Sequence, residues 1–129
     1  MILVDTSAWI QMLNRRATDS FRAAVAADEV VTCLPVMQEV LQGIDDTRAF
    51  HFAKAAFADI PILENPLTQS VFDEAVELYR IGRRAGLTIR SSVDCVIAIC
   101  AIRNDATILH VDRDFTHLSR VSVLQERRL

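Results

Sequence analysis

The chain is nearly without lysine: of its 14 basic residues, Lys54 is the single lysine and the rest are arginines. It also has no excess of positive charge. A formal net charge of −3 excludes a protein that holds nucleic acid by bulk attraction and leaves a local basic patch as the electrostatic route to such a partner. Cysteine is scarce. Cys33, Cys95 and Cys100 are an odd number with no C-x-x-C pair, which argues against a disulfide framework. Each sits in an apolar run and reads as a buried, reduced thiol. His51, His110 and His117 are scattered, so no His or Cys spacing supports zinc, and all three read as structural or exposed. Long hydrophobic runs are missing too. The longest, Val96 to Ile102, is far short of the ~20 residues needed to span a bilayer. Asp5 interrupts the apolar start too early for a secretory leader. No repeat or low-complexity linker is present. These absences lead us to expect a cytoplasmic protein with no membrane partner.

What remains is an ordinary globular composition, 51% apolar and 24% charged over 129 residues, enough for one domain spanning 1–129 with its own core. Met1-Ile2-Leu3-Val4 reads as a strand buried on both faces. Thr6 or Ser7 is placed to cap a helix to about Asn14, and Thr18 or Asp19 another through Ala27. Glu29–Thr32 reads as a second strand. Pro35 suits the first turn of a helix ending at Gly43. Asp46 or Thr47 opens a helix to about Asp59, and Ile60–Leu63 is a strand or linker that Pro61 confines to an edge. The clearest amphipathic helix runs from Pro66 to Ala85, with Val71, Phe72, Ala75, Leu78, Tyr79 and Gly82 at helical spacing and Gly86 as its stop. Ser91 or Ser92 caps a helix whose body, Val93 to Ile102, is apolar nearly all round and therefore central. Ala106–Val111 is a late strand and Val121–Leu124 a last edge strand. Alternating strands and helices indicate an α/β domain with a mainly parallel sheet, whose ligands bind at the carboxyl ends of the strands.

The acids are informative against that expectation. Asp5 follows the first strand directly, and Asp112 and Asp114 follow the late strand in ILHVDRDF. Asp94 lies in the first turn of the central helix and Glu39 within the Pro-led one. Each has a local account: Asp94 stabilises a helix amino terminus through the dipole, Glu39 faces solvent, Asp5 starts a turn, and Asp114 caps a short helix beginning at Phe115. Together they mean more. Two carboxylates about 4 Å apart repel by roughly 4 kcal/mol at an effective dielectric near 20, so a convergent cluster requires protons or cations. Hard divalent ions, Mg²⁺ or Mn²⁺, match carboxylate and water oxygens.

Val4-Asp5-Thr6-Ser7, Glu39 in a Pro-led helix, Asp94 opening an apolar helix and Asp112-Arg113-Asp114-Phe115 resemble the motifs of a PIN domain. The short length and motif order are similar to the VapC toxins of bacterial toxin–antitoxin modules. The resemblance covers essentially the whole chain. It implies a three-layer α/β/α fold and a Mg²⁺- or Mn²⁺-dependent endoribonuclease. Asp5, Glu39, Asp94 and Asp112 would be the acids that hold the ion and carry catalysis, with Asp114 as a further ligand. Ser7 matches a hydroxyl near the metal, although capping the first helix accounts for it equally well. A metal-bound water would attack the phosphodiester, with Glu39 or Asp94 placed to orient or deprotonate it.

RNA must also be held. Arg80, Arg83 and Arg84 share one helical face at i, i+3 and i+4, and Arg90 follows, so these four are candidate phosphate contacts. The arginine bias fits phosphate recognition, although a GC-rich genome produces the same bias, and cations at a helix carboxyl end stabilise its dipole. Arg15 and Arg16 follow the first helix, and Arg127 and Arg128 read as a solvated tail. By the same resemblance the substrate class is tRNA or rRNA, the chain forms a homodimer, and a VapB-type antitoxin lays a segment in a groove and reaches the acids with a basic side chain. Phe50, Phe52 and Phe57 could contribute to that groove, although at least two of them belong by their spacing in the core. The alternative from another class is an RNA-binding PIN-like module without cleavage. A receiver domain lacks its late lysine here, and a haloacid-dehalogenase-type phosphatase would need an acid where Ser7 stands.

Overall fold

A computed structural model describes residues 1–14 and 29–129; the expected helix from Thr18 or Asp19 to Ala27, with Arg15 and Arg16, lies outside the described residues. Five strands, β1 (Ile2–Val4), β2 (Val30–Cys33), β3 (Ile62–Leu63), β4 (Thr107–His110) and β5 (Gln125–Arg128), form one sheet in the order β3-β2-β1-β4-β5. Every registered pair is parallel. Six described helices accompany it: α1 (Thr6–Leu13), α2 (Leu34–Gln42), α3 (Thr47–Ala58), α4 (Gln69–Arg84), α5 (Ser92–Arg103) and α6 (Arg113–Ser119). This is the expected three-layer α/β/α arrangement.

The sequence pattern explains the layering. Ile2, Leu3 and Val4 are all buried, as a central parallel strand covered on both faces requires. β3 lies at the sheet edge, where Pro61 supplies its carbonyl to Thr32 N–H at 3.0 Å and needs no donor of its own. In α5 every residue from Asp94 to Ala101 is buried, so the helix without a polar face is the central one. α4 ends where Gly86 takes φ +80, with Gly86 N–H bonded to Arg83 O and Leu87 N–H to Gly82 O. This is a Schellman closure, which favours glycine at that position.

Several local expectations shift. α1 is capped by Asp5, not by Thr6 or Ser7. The last short helix starts at Arg113 and is capped by Asp112, two residues earlier than a cap at Asp114 would give. α4 starts at Gln69, with Thr68 at its amino cap, and not at Pro66. Val121–Leu124 is not a strand. Ser122 Oγ bonds Leu118 O and accepts from Leu124 N–H, so its hydroxyl competes with ladder pairing, and only Leu124 is buried. The last strand is Gln125–Arg128 instead, registered on β4, and Arg127 and Arg128 belong to it and not to a tail. Of the three phenylalanines on α3, Phe57 alone is buried, while Phe52 is 67% exposed.

Parallel strands put all their carboxyl ends on one edge. β1 has β2 on one side and β4 on the other, so the order reverses at β1 and leaves a crevice beyond its carboxyl end. Asp5 leaves β1 there and Asp112 follows β4.

Candidate metal centre

Five acids from four elements gather at this crevice. Asp5 is 3% exposed and caps α1, its Oδ2 accepting from Ser7 N–H at 3.0 Å and from Ser7 Oγ at 2.6 Å. Ser7 Oγ in turn accepts from Val111 N–H at 3.0 Å, which ties the start of α1 to the end of β4. Glu39, on α2, accepts from Thr6 Oγ1 at 3.0 Å. Adjacent hydroxyls in one helical turn thus hold two acids from different elements. The sequence offers Thr6 as a helix cap and not as a partner of Glu39, which only the fold brings to it.

Asp94 comes from the first turn of α5 and is 6% exposed. Asp112 caps α6, its Oδ1 accepting from Asp114 N–H at 3.0 Å. Asp114 is 1% exposed, and its Oδ2 accepts from Arg90 N–H at 3.1 Å. Asp94, Asp112 and Asp114 each present one oxygen within 4.8 Å of the others. Oxygens on one ion at about 2.1 Å are at most ~4.2 Å apart, so a small side-chain rotation suffices for all three to share it. The tightest group therefore contains Asp114 in place of Asp5 and Glu39, each of which has one oxygen engaged by Ser7 or Thr6.

The electrostatics bind the five together. Burial, above all, pushes the Asp94 carboxyl up to about 8, followed by the charges of Asp5 and Asp112 and by Asp114. Asp5 is raised by burial and by Asp112, against the lowering effect of its Ser7 bonds. Glu39 is raised by burial and by the charges of Asp5 and Asp112, with the Thr6 bond opposing. Like charges and desolvation both disfavour ionisation here. Among the described residues, the buried oxygens Asp94 Oδ2 and Asp114 Oδ1 have no hydrogen-bond partner, a state that a bound cation would relieve. The donor set is all oxygen, which fits Mg²⁺ or Mn²⁺.

The expected basic residues divide. Arg90 turns into the acids, its guanidinium 3.1 Å from Asp112 Oδ1 and 3.5 Å from Asp114 Oδ1. Arg80, Arg83 and Arg84 stand exposed with Tyr79 around a shallow hollow on α4, and among the described residues none of the three is ion-paired. His51 is exposed and His110 buried.

This fold, with acids from four elements at the crossover crevice, has a match: the PIN-domain sequence profile aligns with residues 2–121. The chain belongs to the PIN-domain family. Within it, the chain is 38% identical over 132 residues to a VapC ribonuclease of Mycobacterium bovis and to ribonuclease VapC11 of Mycobacterium tuberculosis, covering 97% of this chain and 96% of each relative. The expected resemblance to VapC proteins is therefore borne out. Among solved structures, VapBC2 of Rickettsia felis bound to a promoter DNA fragment superposes with a TM-score of 0.77 at 18% identity, over 100% of this chain and 99% of that one. VapBC-1 of nontypeable Haemophilus influenzae gives 0.74 at 15% identity, over 99% and 98%. These distant structures establish the fold alone.

Proposed function

We propose that this protein is a divalent-metal-dependent endoribonuclease acting in the cytoplasm as the toxin of a toxin–antitoxin pair, with residues 1–129 forming one catalytic domain. One observation carries the reading: acids from four elements crowd one crevice, three of them close enough to share an ion, and among the described residues two of their buried oxygens accept no hydrogen bond. The ribonuclease names of relatives at 38% identity point the same way. Asp94, Asp112 and Asp114 would hold Mg²⁺ or Mn²⁺ most directly, with Asp5 and Glu39 completing the anionic wall. When bound, the ion lowers the pKa of a water and neutralises phosphate oxygens. The chain's own groups do the rest. Ser7 and Thr6 hold Asp5 and Glu39 in place, and Asp94, which burial holds protonated up to about 8, would have to give up its proton to serve as a ligand. Glu39 or Asp94 orients the attacking water. Ser7, Arg80, Arg83, Arg84 and Arg90 form the substrate-contacting set, for tRNA or rRNA as substrate class. Cleavage of RNA that requires Mg²⁺ or Mn²⁺, and is lost in Asp5→Asn and Asp94→Asn, tests this. Wild-type cleavage by both variants would refute it.

A VapB-type antitoxin is the partner we propose, on the strength of the toxin–antitoxin complexes among the fold neighbours. A homodimer is supported by Phe72, Val76 and Tyr79, which recur at i, i+4 and i+7 on α4 and stay exposed beside Val93 and Val96 of α5. Light scattering on wild type and Val76→Glu checks it, with a dimer expected for the first and a monomer for the second. Arg90 favours the second reading, a binding module without cleavage, because it already offsets part of the acidic charge. Failure of the wild type to take up Mn²⁺ would select that reading.

A further inference from the structure

Two backbone N–H groups extend past the paired residues of β4, and each is claimed by a side chain. Val111 N–H goes to Ser7 Oγ, which leads to Asp5. Asp112 N–H goes to His110 Nδ1 at 3.0 Å. A backbone N–H can only donate, so Nδ1 must present its lone pair and the ring proton must sit on Nε2. Nε2 faces Glu126 Oε2, a carboxylate oxygen able to accept it. Both ring nitrogens are thus matched, each in the one sense the neighbours allow.

The position makes this more than a satisfied core histidine. Ile108 and Leu109 before it are wholly apolar and buried, and His110 is itself at 0% exposure, its ring centroid 5.3 Å from that of Phe115. Packing alone would be served by another aliphatic side chain. Instead the strand ends on an imidazole whose one free lone pair is spent on the backbone of Asp112. Glu126 reaches the ring because β5 runs parallel to β4, with Ile108 opposite Glu126 and His110 opposite Arg128. That places Glu126 diagonally beside His110.

We infer that Glu126 and His110 form a positioning relay for Asp112. Glu126 fixes the ring and its tautomer, Nδ1 fixes the Asp112 backbone, and the Asp112 carboxylate is thereby aimed at the ion site. The relay rests on the reading of these acids as an ion site proposed above. Partners one step behind a metal ligand set its orientation, and their loss typically weakens metal binding by 10–100-fold.

Glu126 is partly exposed on an edge strand, so its variants test the relay without emptying the core. Mn²⁺ is titrated calorimetrically into wild type, Glu126→Ala and Glu126→Gln, with the melting temperature recorded for each. Hydrogen exchange of the Asp112 amide is followed by NMR. Glu126→Ala is expected to bind Mn²⁺ about tenfold more weakly and to exchange the Asp112 amide faster. Glu126→Gln, which retains an acceptor for Nε2 but not the charge, is expected to stay within about twofold of wild type. Wild-type affinity and exchange in a folded Glu126→Ala overturn the relay while leaving the ion site standing. Equal losses in Glu126→Ala and Glu126→Gln overturn it in favour of simple charge. No Mn²⁺ uptake by the wild type overturns the ion site and the relay together.

Discussion

Arg103 and Arg90 each bridge two acids, and the two clusters differ in everything else. Arg103 joins Glu64 and Glu74 on the surface, adds Ser70 Oγ at 2.9 Å, and sits beside Asn104, which bonds Glu64. No buried oxygen in that cluster lacks a partner. Arg90 joins the partly exposed Asp112 and the buried Asp114, where Asp5 and Glu39 crowd in two further carboxyls and Asp94 is held protonated up to about 8. Among the described residues, Asp94 Oδ2 and Asp114 Oδ1 there accept no hydrogen bond. The first cluster is complete as folded and clips the α4–α5 region together. The second is arranged for something that arrives from outside, and that imbalance distinguishes a site from a structural ion pair.

The sharpest break between the two is catalytic. Asp94→Asn should lower Mn²⁺-supported RNA cleavage by roughly 100-fold or more, whereas Glu74→Gln in the surface cluster should leave it unchanged; a fixed-time assay on labelled RNA reads both. Next in size is a stability effect. Folded Asp94 keeps its proton up to about 8, while the ordinary value is 3.8. Between those values the native state binds the extra proton, so its stability is fully present below the lower one and is lost as pH rises through the higher. Metal-free wild type should therefore melt lower at pH 8 than at pH 5. Asp94→Asn should abolish most of that slope and gain on the order of 2 kcal/mol, about 5–10 °C, at pH 8; calorimetric melts in EDTA check it.

Smaller effects sharpen the contrast between the arginines. Arg90→Ala removes a cation that competes with the ion, so Mn²⁺ should bind more tightly, by about two- to fivefold given the half-exposed guanidinium. Arg103→Ala should reduce the melting temperature slightly and leave Mn²⁺ affinity unaltered. Titrations of both variants under one set of conditions decide whether the clusters differ as described.

Much of the site could be read from sequence because its acids follow apolar strands or open apolar helices, and a parallel sheet sends such positions to one edge. Asp5 and Asp112 were legible for that reason, and Asp94 because it opens a helix with no polar face. The depth of Asp114 was not, since whether an acid two residues into a helix points inward depends on where that helix starts. Capping by Asp112 moved the start. The register of β5 was hidden likewise: Gln125-Glu126-Arg127-Arg128 has no apolar alternation, and pairing with β4 decides it, not propensity. Arg90 read as a phosphate contact because helical spacing near α4 was the visible signal, while its engagement by Asp112 and Asp114 arises only when residues 22 and 24 positions away fold against it.

The central claim, that the acids are assembled for a divalent ion, is tested most directly by titrating Mn²⁺ into the metal-free protein at pH 7 in buffers of different ionisation enthalpy. Saturable binding accompanied by proton release from Asp94 is expected, with both lost in Asp94→Asn. Heats no different from dilution for the wild type would contradict it.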